Sequence, residues 1–326
     1  MRPVRLDVDL ARRRTWAKNR PDDFDHGHIP LALGVGCFVF LSATKAAAGD
    51  WPDGCVVCEN TQSPDERYGI LVPSMDAWEK DESLEETNYL ADLKAHQLMG
   101  KIRGADYFEH QNHRGLQVTW APDSTWCIVE YDGRFGFDTI SILELKGSGF
   151  VQTDIGKQID KSLKAAIAKQ SHDPESSGGD ATPHFRIGAD RKVRVGTVST
   201  TDPKQLNEKG GYYALFHGTF DLRSKKWLMA EARPLTRNEY DRIGDPFGDL
   251  ELDETTFATE EDKAKGFDDR MNEVYLTVRL VLPPARFAAV KREQIEWLKK
   301  RDATTSIEEK CKLMEARIKV LQELLW

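Results

Sequence analysis

The chain has 326 residues, enough for about two domains. Its content of 40% hydrophobic and 31% charged residues is that of a folded globular protein rather than a disordered one. A net charge of -8 lacks the basic footprint of a nucleic-acid binder, argues against that class of partner, and is compatible with a basic one.

At the N-terminus, Arg2, Arg5, Arg12, Arg13, Arg14, Lys18 and Arg20 precede an uncharged apolar run at residues 29–43, after which come Ala46, Ala47 and Ala48. A basic segment, a short apolar core and small residues form the pattern of a secretory signal peptide, here residues 1–48 with cleavage near Ala48. The leader is overlong and includes Asp22, Asp23 and Asp25, as a start placed too early would produce. Its apolar core is too short for a comfortable membrane span. The expectation is an exported protein, periplasmic or secreted, with no stable span after cleavage. The mature chain keeps Cys55, Cys58, Cys127 and Cys311. In an oxidising compartment Cys55 and Cys58 are candidates for a local disulfide.

Residues 49–236 read as a β-rich domain. Short apolar runs at 68–72, 89–93, 98–102, 116–120, 126–131, 140–145 and 150–153 are separated by Pro, Asp, Gly and Lys turns, as in a β-meander. One helix interrupts them near 154–170, where Ile155, Ile159, Leu163, Ala166 and Ile167 share one side and are expected to lie on the sheet. The segment 171–183, rich in Ser, Gly, Asp and Pro, reads as a loop.

Within this region Trp120-Ala121-Pro122-Asp123-Ser124-Thr125-Trp126 resembles the Pro-Asp turn of WD40-like propeller repeats. Ser63-Pro64-Asp65-Glu66-Arg67-Tyr68 echoes it, as does Gly188-Ala189-Asp190-Arg191-Lys192-Val193 more weakly. The resemblance implies blade-like units. Three such units do not close a propeller ring, so the expectation is a partial propeller or a single curved meander.

Chemistry-bearing clusters are few. Glu109, His110 and His113 lie in a loop and, with Glu130 or Asp132 across a hairpin, have the residue types of a metal site or of a metal-dependent hydrolase; loop histidines held by hydrogen bonds are the alternative. Phe135 and Phe137, between Arg134 and Asp138 in a glycine-rich hairpin, either form a binding tip or tuck under the turn. The sequence shows no nucleophile elbow, phosphate-binding loop or dinucleotide fingerprint, and no cofactor is expected.

Residues 237–261, rich in Asp, Glu, Gly and Pro, read as an acidic linker to a domain at 262–326 with three helical runs. Phe267, Met271, Val274, Tyr275, Val278 and Leu282 recur at helical steps until Pro283 and Pro284 stop the run. Phe287, Val290, Gln294, Trp297, Leu298 and Arg301 follow. Ile307, Cys311, Met314, Ile318, Leu321 and Leu325 then make a continuous apolar seam, opened by Ser306 and Glu309 in the capping-box pattern.

Met271, Asn272 and Tyr275, then Gln294, Trp297, Leu298, Arg301 and Asp302, then Cys311, Arg317, Ile318 and Leu321, match the helices of the LprI-like lysozyme-inhibitor domain of bacterial envelope proteins. The last sixty or so residues are thus similar to that family. Its usual cysteines before the first helix and after the Arg-Asp pair are missing, since Ala303 and Thr304 follow Asp302. The resemblance implies lysozyme, or another envelope protein, as partner, with Gln294, Trp297, Arg301 and Asp302 as candidate binding residues. The same residues also suit the inside of a helical bundle. The fold class expected is α+β, a β-meander or partial propeller-like domain followed by a small three-helix domain. The function expected is non-enzymatic binding in the envelope, with a structural scaffold or the loop-histidine hydrolase as alternatives.

Overall fold

The computed structural model describes residues 51–81, 86–134, 136–171, 180–201, 211–248 and 257–326. The 1–48 leader and Phe135 lie outside them, as do most of the 171–183 loop and residues 249–256 of the expected linker. The fold is α+β. Three antiparallel sheets follow one another in the chain, and helices close the C-terminal side.

The first sheet is a meander of β1 (Cys55–Val57), β2 (Tyr68–Pro73), β3 (Thr87–Asp92) and β4 (Gln97–Asp106), with the short helix α1 (Met75–Lys80) after β2. The second is a meander of β5 (Gly115–Trp120), β6 (Trp126–Gly133), β7 (Gly136–Lys146) and β8 (Gly149–Asp154). Helix α2 (Gly156–Ser171) leads to the third sheet, which begins with the two-residue β9 (Asp180–Ala181). There β10 (His184–Ile187), β11 (Lys192–Thr200), β12 (Tyr213–Asp221) and β13 (Lys226–Leu235) form the meander, and β9 pairs with β11. The chain ends in α3 (Arg237–Ile243), α4 (Glu260–Val281), α5 (Pro284–Ala303) and α6 (Ile307–Glu323).

The three Pro-Asp-type segments occupy the same place in each sheet, the connection between the first two strands of its meander. In each, the residue after the aspartate has a left-handed backbone: Glu66 (φ 57°), Ser124 (φ 56°) and Arg191 (φ 59°). The aspartate carboxylate accepts the backbone N-H two residues on, from Arg67 at 3.2 Å, Thr125 at 3.1 Å and Lys192 at 3.3 Å. That side-chain bond is the local device by which aspartate fixes a tight turn. Trp120 of the second sheet then reaches the β1–β2 connection of the first, its indole N-H donating to Thr61 O at 2.9 Å.

The middle sheet is buried on both faces, which explains why β6 reads as a nearly unbroken apolar run. Its alternate residues Cys127, Val129 and Tyr131 join Ile70, Val72, Leu90 and Ile102 in a core with the first sheet. Trp126 and Ile128, with Ile140 and Ile142 of β7, face the other way and join α2 and the third sheet. The third sheet divides its strands in the same manner: Ala214 and Phe216 of β12 enter that second core, whereas Tyr213 and Leu215 enter a third core with α3 to α6. Phe267, Met271, Val274 and Val278 of α4 and Cys311, Met314, Ile318 and Leu321 of α6 fill this third core, so the helical periodicity marks the buried faces.

Two local expectations are corrected. Residues 237–243 are helix rather than loop, capped by Thr236, whose side chain accepts from Glu239 N while the Glu239 carboxylate accepts from Thr236 N at 2.8 Å. Cys55 and Cys58 are free thiols rather than a disulfide. Cys55 to Val57 is strand, with Cys55 opposite Pro73, and Cys58 N donates to Ile70 O at 2.8 Å. Extended residues three apart are separated by about 10 Å, beyond the reach of a disulfide.

Candidate functional site

The expected site residues go to different places. Gln294 is an interior residue: its Oε1 accepts from Arg317 Nε at 2.8 Å, its Nε2 approaches Met271 Sδ at 3.6 Å, and only 6% of its surface is exposed. It joins α4, α5 and α6 through polar contacts inside the bundle, and burial lowers the pKa of Arg317 from the ordinary arginine value. Trp297 is half-buried against the helical core, and Arg301 lies over its ring at 5.7 Å. Arg301 also pairs with Asp268 of α4 at 2.5 Å and with the exposed Asp302 at 2.8 Å.

Phe137 does not stand out at a hairpin tip. The turn between β6 and β7 is short, so Phe137 is already strand, opposite Asp132, and packs on the core between the second and third sheets. Phe135 lies outside the described residues. In the loop before β5, His110 is exposed and its Nε2 is 4.0 Å from Glu109 Oε1. His110 and His113 both have positive φ, at 61° and 60°. Among the described residues no group of three or more His, Cys, Asp or Glu side chains is placed to hold a metal ion.

A different constellation stands where the second and third sheets meet the C-terminal turn. A cleft of about 280 Å³ is walled on one side by Gln117 and Thr119 of β5 and Glu130 of β6, and on the other by His184, Phe185 and Arg186 of β10. Phe247, Gln322 and Trp326 complete it. Phe247 is seated because Gly196 of β11 has no side chain: a Cβ there would lie 2.2 Å from Phe247 Cδ1. Its loop is pinned by Arg270, which donates to Asp245 O at 2.5 Å and Gly248 O at 2.8 Å, and by Gln322, which donates to Gly248 O at 3.0 Å. Trp326 packs against Phe247 with ring centres 5.4 Å apart, and the preceding Leu325 O accepts from His217 Nε2 at 2.7 Å.

Glu130 is the unusual member. It continues the row of Trp126 and Ile128 on the face turned to the third sheet, and 4% of its surface is exposed. Glu144 on neighbouring β7 is equally buried, but Arg191 at 3.0 Å and Lys225 pair with it. Among the described residues Glu130 has no such cation. Burial, then the charge of Asp132 two residues along and hydrogen bonding to it, push the Glu130 carboxyl up to about 9, so it is neutral at neutral pH. Among the described residues its Oε1 has no hydrogen-bond partner. Asp132 is itself raised by burial, against a bond from Gln117 Nε2 at 2.8 Å.

The basic side chains of the cleft are paired already. His184 Nε2 is 2.8 Å from Asp245 Oδ2; burial pulls Asp245 upward, but the bond and charge of His184 and the charge of Arg270 outweigh it and hold the carboxylate below its ordinary value. Arg186 pairs with Glu323 and lies over the Trp326 ring at 5.6 Å. Among the described residues no serine, threonine or cysteine paired with a base lines the cleft. The arrangement is suited to holding a small polar ligand. Glu130 has a sequence signal, an acid inside an otherwise apolar strand, whereas His184, Arg186, Gln322 and Trp326 sit in no local motif.

No protein-family model matches the chain, and no curated protein sequence matches it. Among the described residues no helix is long and apolar enough to cross a membrane.

Proposed function

We propose that this chain is a non-catalytic binding protein, exported to the bacterial envelope by its 1–48 leader, which takes its ligand in the cleft between the second and third sheets. The observation that carries the reading is Glu130, a buried acid lining a cleft, with no cation among the described residues to balance it and one oxygen unpartnered. Leaving such a group unsatisfied costs stability, about 1–3 kcal/mol, and a cost of this kind persists where a site needs the group for something else. The test is to titrate residues 49–326 with wall fragments and a panel of lysozymes, and to repeat it with Thr119→Trp, which fills the cleft from an exposed position. Saturable binding without turnover, lost in Thr119→Trp, is the expected result. Turnover of the bound ligand, or full binding by Thr119→Trp, would refute it.

A second reading is lysozyme inhibition through the C-terminal helices, supported by the LprI-like pattern and by the stacked pair of Trp297 and Arg301. Stoichiometric inhibition that survives Thr119→Trp but falls about tenfold or more in Trp297→Ala, the loss of one anchoring aromatic, would favour it over the cleft.

A further inference from the structure

We infer that the ligand held by this cleft is a neutral, polyhydroxylated ring, a sugar of pyranose size. The inference rests on the proposal that the cleft is the binding site, and names the chemical class it selects.

Charge makes the first selection. Arg186 is held by Glu323 and His184 by Asp245, so each basic side chain lining the cleft has its counter-ion within the protein. A charged ligand would either compete with these pairs or bring an uncompensated charge beside the buried Glu130, and both are unfavourable. Glu144 supplies the comparison within the same sheet: there a buried carboxylate is given Arg191 and Lys225, whereas among the described residues Glu130 has no such cation and hydrogen-bonds only with Asp132.

Hydrogen bonding makes the second. Glu130 Oε1 is a buried acceptor without a donor among the described residues. A ligand O-H or amide N-H would satisfy it once the carboxyl turns about its soft terminal torsion and brings that oxygen to the cleft, and a hydroxyl can accept in return from neighbouring donors. Gln117 and Gln322 add amide groups to the lining; each nitrogen already donates one hydrogen, to Asp132 and to Gly248 O, which leaves a second N-H and the carbonyl oxygen of each for a ligand.

Shape completes the choice. Phe185 and Trp326 put aromatic surface among these polar groups. A sugar ring presents polar edges and C-H faces together, so it uses both parts of such a wall, whereas a purely apolar ligand would strand the amides and Glu130. The cleft volume, about 280 Å³, lies near the lower end of small-molecule sites and suits a ligand of sugar-ring size.

The experiment is calorimetric titration of residues 49–326 near neutral pH with methyl glucoside, methyl galactoside and N-acetylglucosamine, and with glucosamine and glucuronate as the cationic and anionic forms of the same ring. At least one neutral ring is expected to bind, about tenfold or more tighter than its charged analogue. Glu130→Gln keeps a neutral group with a carbonyl acceptor and is expected to bind within about threefold of the parent chain. Glu130→Leu removes the acceptor and is expected to lose about tenfold or more. Thermal unfolding of both variants checks that the fold persists.

Tighter binding of glucosamine, lost in Glu130→Gln, would show the carboxylate acting as an anion; it would overturn the neutral-ligand inference and leave the cleft as a binding site. Tighter binding of glucuronate would do the same through Arg186. Failure of all five rings to bind would overturn the inference, and the cleft reading would then stand or fall on whether Thr119→Trp abolishes binding of wall fragments or lysozyme.

Discussion

Replacing Glu130 by Gln should make the protein less sensitive to alkaline pH, by an amount that follows from one proton. In the folded chain Glu130 has its carboxyl pushed up to about 9 by burial and by Asp132, whereas its ordinary value is 4.5. A raised carboxyl favours folding fully below the ordinary value and loses that contribution as pH climbs towards the folded one. Between about pH 5 and pH 8 the folded state holds a proton that the unfolded state has released, so unfolding liberates it. The slope is about 1.4 kcal/mol of stability lost per pH unit, or roughly 2.7 kcal/mol between pH 6 and pH 8. Glu130→Gln retains size and hydrogen-bonding capacity but cannot titrate. Urea unfolding of both proteins at pH 6, 7 and 8 should therefore show stability curves that diverge, with the variant gaining on the parent as pH rises. The comparison cancels other titrating groups such as His217 and Asp180, which both proteins share. Parallel curves would mean that Glu130 is ionised in the folded state, and would sink the account of the cleft as a neutral site.

Four further outcomes can be checked directly. Gly196→Ala should lower stability by about 1–3 kcal/mol, since the new methyl meets the Phe247 ring at 2.2 Å, and calorimetric unfolding would register it as a lower melting temperature. Gln294→Leu, near in size, should cost about 2 kcal/mol because it strips the buried Arg317 of its acceptor; unchanged denaturant midpoints would contradict that role. Glu144→Ala should destabilise by about 2 kcal/mol by leaving Arg191 and Lys225 beside a vacated site, and Glu144→Gln should cost less, as paired urea titrations would show. Native-state labelling with a thiol reagent near neutral pH should be slow at Cys58, whose thiol is pushed up to about 11 by burial and then by Glu109 and Glu59, and slower still at the fully buried Cys127; fast modification before unfolding would refute this.

Much of the fold was legible because both of its periods are regular. The seam of Cys311, Met314, Ile318 and Leu321 stands out because steps of three and four bring residues to one side only on a helix. The strand runs were equally visible because Asp, Gly and Pro punctuate them, and the aspartate turns at Asp65, Asp123 and Asp190 each link the first two strands of a meander. Composition misled at 237–243, where the Asp, Glu, Gly and Pro content of 237–261 as a whole suggested a loop although Thr236 and Glu239 have capping-box spacing. The cleft was not legible for a different reason. Glu130, His184, Phe247 and Trp326 belong to separate elements, and only the packing of the third sheet between the second sheet and the helices brings them to one place. Gln294 shows the converse: of the two roles its motif allowed, binding group or bundle interior, the structure places it in the interior.

Strand β12 gives Ala214 and Phe216 to one core and Tyr213 and Leu215 to the next, so the third sheet is a shared wall rather than a boundary. A protease that cut the backbone between Gly248 and Phe257 would not release a free helical module. The two pieces would stay together, because each presents an apolar face that the other keeps dry, and separating them would expose both. Helices and sheets expressed as separate chains should therefore be poorly soluble alone and should recover a native-like spectrum when mixed, a complementation that treats residues 257–326 as a replaceable part of one body.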